Sequence, residues 1–136
     1  MNRLDVQSRV DPVLNEIVTQ LLVDGQLLTD FKKDSLSVDL SALETATRQS
    51  GEFTIVTCIC GYPSCAGIKQ GIRIDHTGEC VHWIGRILGE TQTFSFDRQE
   101  FRIAVERGIE QLKQLMATHK VEVAPDINKH VFGEAD

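Results

Sequence analysis

The chain has 136 residues, a mass of 15.2 kDa and a formal charge of −6, from 14 Lys and Arg against 20 Asp and Glu. With 41% hydrophobic and 25% charged residues, the composition predicts one globular domain, 1–136. A chain of this length can form a stable core without disulfides or a structural metal. No apolar run approaches the roughly 20 residues of a membrane span, and the acidic balance without a basic patch disfavours nucleic-acid binding. The first residues lack an apolar signal core, so a cytoplasmic protein is expected.

The first third of the chain is punctuated by Asp24-Gly25, which separates two apolar-rich runs, residues 17–23 and 26–29. Asp-Gly between two β-prone runs is typical of a hairpin turn. A helix over residues 11–23 is the alternative, because Pro12 suits the first turn of a helix and the following apolar residues keep roughly helical spacing. The sequence leaves both interpretations open.

A short helix is predicted after the polar loop of residues 30–37. Asp39 or Ser41 begins it, and Ser41 with Glu44 three residues later fits a capping box. Ser50-Gly51 ends it in the way helices commonly end.

The last helix has the clearest signal in the chain. Asp97 caps it and Glu100 completes an Asp-x-x-Glu box. Apolar residues then recur at helical spacing, namely Phe101, Val105, Ile109, Leu112 and Met116. Gly108 is unfavourable inside a helix, so close packing of this position against the sheet is expected.

Four strands joined by short turns are predicted between the two helices, over residues 53–60, 67–75, 79–88 and 91–96. Short turns favour antiparallel pairing of neighbouring strands. The whole pattern predicts an α+β fold, with a mainly antiparallel sheet of five to six strands and two helices packed on it. The acidic tail, residues 121–136, either wraps around the domain or stays loose.

The four cysteines are the one unusual feature of the composition. Cys58, Cys60 and Cys65 lie within eight residues of one another, and Cys80 follows. In a reducing compartment, clustered cysteines indicate a metal, redox chemistry or simple burial. The main expectation is burial with no cofactor. A zinc site made by Cys58, Cys60, Cys65 and His76 is the alternative.

Cys58-x-Cys60 followed by Cys80-x-His82 resembles the ligand pattern of the SWIM-type zinc finger. The resemblance covers four positions in about 25 residues. In that finger the Cys-x-His pair begins a helix, whereas here it lies in a predicted strand. Ligands on the first and third strands of a simple meander would be about 10 Å apart, too far for one zinc ion.

A broader resemblance covers about residues 53–105. The segment 57–68, with its Cys-x-Cys-Gly-x-x-x-Cys-Ala-Gly pattern, is similar to one in small uncharacterised bacterial proteins. The counterparts of their later motifs are Ile72-Arg73-Ile74, His76, Trp83 and Phe94-Ser95-Phe96-Asp97. The resemblance implies a shared fold, and small acidic proteins of this kind look similar to the immunity proteins that neutralise toxins in interbacterial competition.

The candidate chemistry of the chain points to binding rather than catalysis. His76 follows Asp75, but adjacent strand residues face opposite sides of a sheet. A Cys65 nucleophile with His82 as its base has no feature that would activate the thiol. We therefore expect a non-enzymatic protein that binds a basic toxin domain, with its oligomeric state left open. The predicted contact residues are Asp24, Asp30, Asp34, Asp39, Glu44 and Tyr62.

Overall fold

The computed structural model describes residues 1–29, 36–58, 71–87 and 90–130. These residues form strands β1 (Leu4–Asp11), β2 (Glu16–Val23), β3 (Gln26–Leu27) and β4 (Leu36–Val38), helix α1 (Leu40–Ala46), strands β5 (Gly51–Phe53), β6 (Val56–Cys58), β7 (Ile72–Thr77), β8 (Cys80–Ile87) and β9 (Glu90–Asp97), helix α2 (Arg98–Thr118), strand β10 (Glu122–Ala124) and a 3₁₀ helix (Asp126–His130). The predicted α+β class is confirmed. Within the described ranges, no helix is both long and apolar enough to cross a membrane.

The N-terminal sheet is centred on β2. Strand β1 pairs with one edge of β2 in the antiparallel direction. The other edge of β2 pairs with β10, which is parallel to it, and with β3, which is antiparallel. The hairpin at Asp24-Gly25 is confirmed, and both turn residues have positive φ angles, 53° and 79°. The helical alternative over residues 11–23 is wrong, because eight of these residues form β2. Alternate β2 side chains pack into the core, which outweighs the helix-start signal of Pro12.

A second sheet has the order β5-β7-β8-β9, and β4 pairs with β6 in a two-stranded sheet. The continuous strand predicted over residues 53–60 is wrong. Its first part is in β5 and its middle part is β6, and the two belong to different sheets. Ile55 lies between them, fully buried, and its carbonyl accepts a hydrogen bond from Asp39 N. A run of β-branched residues fits one long strand or two short ones equally well. Burial of the Ile55 side chain in the core therefore decides that the chain divides into two strands here.

Helix α2 packs on β1 and connects the two larger sheets through one core. Asp97 is its N-cap, as predicted, and accepts a hydrogen bond from Glu100 N at 3.0 Å. The expected close approach at Gly108 is confirmed, since an added Cβ would lie 2.5 Å from Val6 Cβ. The two sheets meet where Asn2 forms a parallel bridge with Phe96.

The described part of the tail, residues 121–130, wraps around the domain. Strand β10 adds to β2, and Asn128 is fully buried beside the start of α1. Its side-chain oxygen accepts from Leu40 N and its amide donates to Val38 O, both at 2.8 Å. Residues 122–128 of the tail are therefore held against β2 and α1.

Candidate functional site

Strands β7, β8 and β9 present an open sheet surface on the side away from the core. The core side of these strands carries the buried side chains of Ile72, Ile74, Val81 and Trp83. Because side chains alternate along a strand, the residues next to these face outwards. The strand register brings six of these outward residues together in two neighbouring rows. We call this surface the outer face and define it by Arg73, Asp75, His82, Ile84, Thr93 and Ser95.

One row of the outer face contains Asp75, His82 and Ser95, directly opposite one another on three strands. His82 Nδ1 is 3.0 Å from Ser95 Oγ, and the Asp75 carboxylate accepts a hydrogen bond from Arg73 Nε at 3.1 Å. A hydrolytic Ser-His-Asp triad needs the carboxylate on the second imidazole nitrogen and donors for an oxyanion. Among the described contacts, His82 and Asp75 share no hydrogen bond, and the side-chain contact between strands in this row is the one from His82 to Ser95.

Our sequence reasoning missed this row because it compared Asp75 only with its neighbour His76. The signal that would have found it is turn length. Two residues separate β7 from β8, and two separate β8 from β9. Two-residue hairpins fix the strand register, which places His82 opposite both Asp75 and Ser95.

The second row places Ile84 between Arg73 and Thr93. Ile84 is 47% exposed, which makes it an apolar side chain surrounded by polar ones on a sheet surface. An apolar contact with a polar rim is the arrangement typical of protein interfaces. The outer face therefore offers a partner one central apolar contact and several hydrogen-bonding groups.

Three of the predicted contact residues lie in the described chain, and each carboxylate has a local role. Asp24 accepts hydrogen bonds from the Asn2 side-chain amide at 2.6 Å and from Arg3 N at 2.8 Å. These bonds, that of Asn2 first, hold the pKa of Asp24 below its ordinary value. The N-cap of α1 is Asp39 and not the alternative, Ser41; the Asp39 carboxylate accepts hydrogen bonds from Ser41 N and Ala42 N.

Glu44 is bound by the Arg48 guanidinium, with one carboxylate oxygen 3.0 Å from Nε and the other 2.9 Å from Nη2. The capping box expected between Ser41 and Glu44 is therefore replaced by an ion pair at the other end of α1. The remaining predicted contact residues, Asp30, Asp34 and Tyr62, lie outside the described residues.

The two proposed zinc ligands that lie in the described residues, Cys58 and His76, belong to different sheets. Cys58 ends β6, where its backbone pairs with Leu36, while Cys60 and Cys65 are outside the described residues. His76 is in another sheet, and its Nε2 donates to Ala46 O at 2.8 Å. In the described ranges, no three His, Cys, Asp or Glu side chains are grouped to hold a metal.

The Cys-x-His pair of the finger-like pattern lies in the middle of a sheet. Cys80 and His82 are alternate residues of β8 and face the same side. Cys80 Sγ is 4.0 Å from Met1 Sδ, and His82 is held by Ser95. Cys58 belongs to the separate β4–β6 sheet.

Two clefts flank the start of α2. One, of about 340 Å³, is lined by residues of both charges, including Glu79, Arg98 and Arg102. The other, of about 400 Å³, lies between β1 and the α2 stripe of Glu100, Ile103, Ala104 and Arg107. Opposite charges share each lining, so neither cleft selects a ligand by charge alone.

The counterparts of the bacterial motif fall in ordered elements. Residues 72–74 are in β7, Trp83 is in β8, and Phe94 to Asp97 lead from β9 into α2. The cysteine-containing segment from 59 to 68 is outside the described residues, so the resemblance stays a prediction. In comparisons with known proteins, no family model, no curated protein and no solved structure matches the chain.

Proposed function

We propose that this chain is a non-catalytic binding protein of the immunity type, which neutralises a cognate bacterial toxin in the cytoplasm by direct contact. The outer face is the docking surface in this proposal. The observation that supports it is Ile84, which is 47% exposed at the centre of an ordered sheet surface.

The composition of the outer face suits a protein partner. Ile84 supplies the central apolar contact, and Arg73 beside it supplies a planar, charged donor of a type enriched at interface hot spots. Thr93 and the His82–Ser95 pair add hydrogen-bonding groups. Because these side chains stand on paired strands, little backbone entropy is lost when a partner binds.

The charge of the chain favours a basic partner. The net charge is −6, and Asp24, Asp39 and Glu44 are among the carboxylates near the surface. A toxin domain that acts on nucleic acid carries a basic surface, and complementary charges accelerate association. We expect the association rate to fall as salt is added, because exposed charges more than about 10 Å apart are screened at 0.1 M.

The test uses the product of the neighbouring reading frame and two matched variants. Ile84→Lys and Ile127→Lys make the same chemical change at residues that are 47% and 46% exposed, one on the outer face and one on the 3₁₀ helix. We expect Ile84→Lys to weaken binding by about tenfold or more, the loss of a hot-spot contact. Ile127→Lys should bind like the parent protein.

Co-elution and titration calorimetry measure both outcomes. If both variants weakened toxin binding equally, the cause would be the added positive charge, and the outer face would no longer be the docking surface. Clean separation of the parent protein from every neighbouring gene product at micromolar concentration would remove the toxin-binding role itself.

The alternative proposal is a zinc-stabilised module with Cys58, Cys60 and Cys65 as ligands. His76 would have to bind zinc through Nδ1, since its Nε2 is used by Ala46 O. One zinc per chain in protein purified without chelator, lost in a Cys60→Ser variant, is the expected result. Zinc well below one per chain would eliminate this alternative.

A further inference from the structure

Strand β9 has one edge that is only partly covered. It pairs with β8 along its length on one side, and on the other it meets Asn2. Asn2 N donates to Ser95 O at 2.8 Å, and Ser95 N donates to Asn2 Oδ1 at 2.9 Å. Asn2 thus satisfies both backbone groups of Ser95, as a neighbouring strand would.

The same bonds show which backbone groups of β9 point away from β8. In an antiparallel pair, alternate residues direct their N–H and C=O to the same side. Since the backbone N–H and C=O of Ser95 point away from β8, those of Thr91 and Thr93 point away from β8 as well. No described residue accepts or donates a hydrogen bond at these outward groups.

Described residues protect the edge of β1, whereas at the β9 edge they cover only Ser95 and its neighbours. Helix α2 lies against β1, where Gln111 Oε1 accepts from Ser8 N at 2.8 Å and Gly108 approaches the Val6 carbonyl. Natural proteins usually cover or charge such an edge. Between Glu90 and Phe94, Glu90 is the single charged residue. This stretch is therefore a template for another strand.

We propose that a second copy of this chain pairs with this edge, β9 against β9 and antiparallel, around a two-fold axis at Gln92. Thr91 of each copy then exchanges two hydrogen bonds with Thr93 of the other. All four outward groups of each edge are used, and the Asn2–Ser95 contact is kept. Shifting the axis to Thr93 would direct Thr91 at Ser95, whose groups are already bonded.

The edge is self-complementary in this register. Threonine opposes threonine on the outer face, a favourable cross-strand pair. On the other face, each strand covers the partly exposed Phe94 of the other copy. Two copies that each carry a charge of −6 repel each other. This repulsion is smallest where the contacting surface carries little charge, as at this edge. The β5-β7-β8-β9 sheet of one copy continues into that of the other.

Gln92 opposes its own copy on the axis, which gives the proposal a sharp test. Gln92→Lys and Gln92→Glu each place like charges directly opposite one another, and we expect at least a tenfold weaker dimer for either variant alone. An equimolar mixture should form the heterodimer again, because Lys then faces Glu. Light scattering with size-exclusion chromatography, and sedimentation velocity, measure the mass over a concentration series into the high-micromolar range.

The controls make the same substitutions at Gln114, which is exposed on α2. Gln114→Lys and Gln114→Glu should dimerise like the parent chain. A second pair of variants tests the proposal if the Gln92 variants fail to fold. Thr93→Pro removes the outward N–H, a change that edge strands tolerate, and this variant should be monomeric. Thr93→Val keeps the N–H and should stay dimeric. Far-ultraviolet circular dichroism and the fluorescence of the single tryptophan, Trp83, establish that each variant is folded.

A parent chain that is monomeric throughout the concentration series would overturn the proposal. So would a dimer that both Gln92 variants leave intact, since the interface would then lie elsewhere. A mixture that fails to form the heterodimer would rule out the register. The proposal does not depend on toxin binding, because the outer faces of both copies remain accessible.

Discussion

Asn128 is a buried polar residue that uses both ends of its side-chain amide. Its oxygen satisfies Leu40 N, one of the unpaired amides at the start of α1, and its nitrogen satisfies Val38 O. These groups are some 90 residues away along the chain, so one side chain fixes the end of the chain to the first helix. Buried polar contacts of this kind specify an arrangement more strictly than apolar contacts do.

We expect Asn128→Ala to lower the free energy of unfolding by about 2–4 kcal/mol, because two buried backbone groups lose their partners. Urea denaturation followed by circular dichroism measures the change. Lys129→Ala is the neighbouring control, since its pair with Asp126 is exposed and should contribute little. Equal stability of the two variants would mean that water replaces the Asn128 amide.

Asp24 provides a prediction on pH. Its pKa is lowered from 3.8 by the bonds from Asn2 and Arg3, so ionised Asp24 stabilises the fold above the unfolded pKa. This stabilisation is lost as the pH falls through the folded pKa. Asp24→Asn keeps a residue that tolerates the φ of 53° and removes the charge.

Asp24→Asn should therefore unfold at a lower temperature than the parent at pH 7, and the difference should shrink below pH 3.8. Melting curves at a series of pH values measure this trend. A difference that is the same at every pH would show that the carboxylate charge has no part in it.

At the scale of elements, α2 is positioned by its contact with β1. The stripe buried against the sheet contains Phe101, Val105, Gly108 and Leu112. Alanine at position 108 would favour the isolated helix by about 1 kcal/mol. In the folded protein an added Cβ would overlap Val6, so the helix would have to move away from the strand.

We expect Gly108→Ala to destabilise the protein by about 1–3 kcal/mol, despite its better helix propensity. Gln114→Ala, on the exposed side of the same helix, should leave stability nearly unchanged. Chemical denaturation of both variants makes the comparison. Stabilisation by Gly108→Ala would show that α2 packs less closely on β1 than described.

At the scale of the whole molecule, one core connects both large sheets and both helices. Buried residues of this single cluster come from β1 and β2, from β7, β8 and β9, and from α1 and α2. The tail adds β10 to the sheet and Asn128 to α1, so it holds elements that are distant in sequence. A perturbation of the tail is therefore expected to affect the whole fold.

A chain that ends at Val121 should lose roughly 3–5 kcal/mol, from the burial of Val123 and the two Asn128 bonds. Because the core is shared, the transitions of Trp83 fluorescence and of circular dichroism should move together. Separate transitions in the shortened chain would show that the two sheets unfold independently.

Much of the fold could be predicted from local signals, and less of the candidate site. The cap at Asp97 and the turn at Asp24-Gly25 depend on residues within a few positions, and both are confirmed. Strand β1 was not predicted, because Ser8 interrupts its alternation of apolar and polar residues and no turn glycine follows it. On the outer face, Ile84 lies within the strand predicted over residues 79–88, but no signal in the sequence shows that it is exposed beside Arg73 and Thr93.

The sequence by itself determined the α+β class, helix α2, the start of α1 and the three strands β7, β8 and β9, because caps, turns and side-chain periodicity are properties of neighbouring residues. Tertiary structure alone decided that residues 51–58 serve two sheets, that Asp75, His82 and Ser95 form one row, and that the described residues leave part of the β9 edge unpaired. These features depend on which distant segments pair and on which groups they leave exposed. Such pairings are set by burial and strand register across the whole chain. The residues of one segment therefore do not show which distant segment it will pair with.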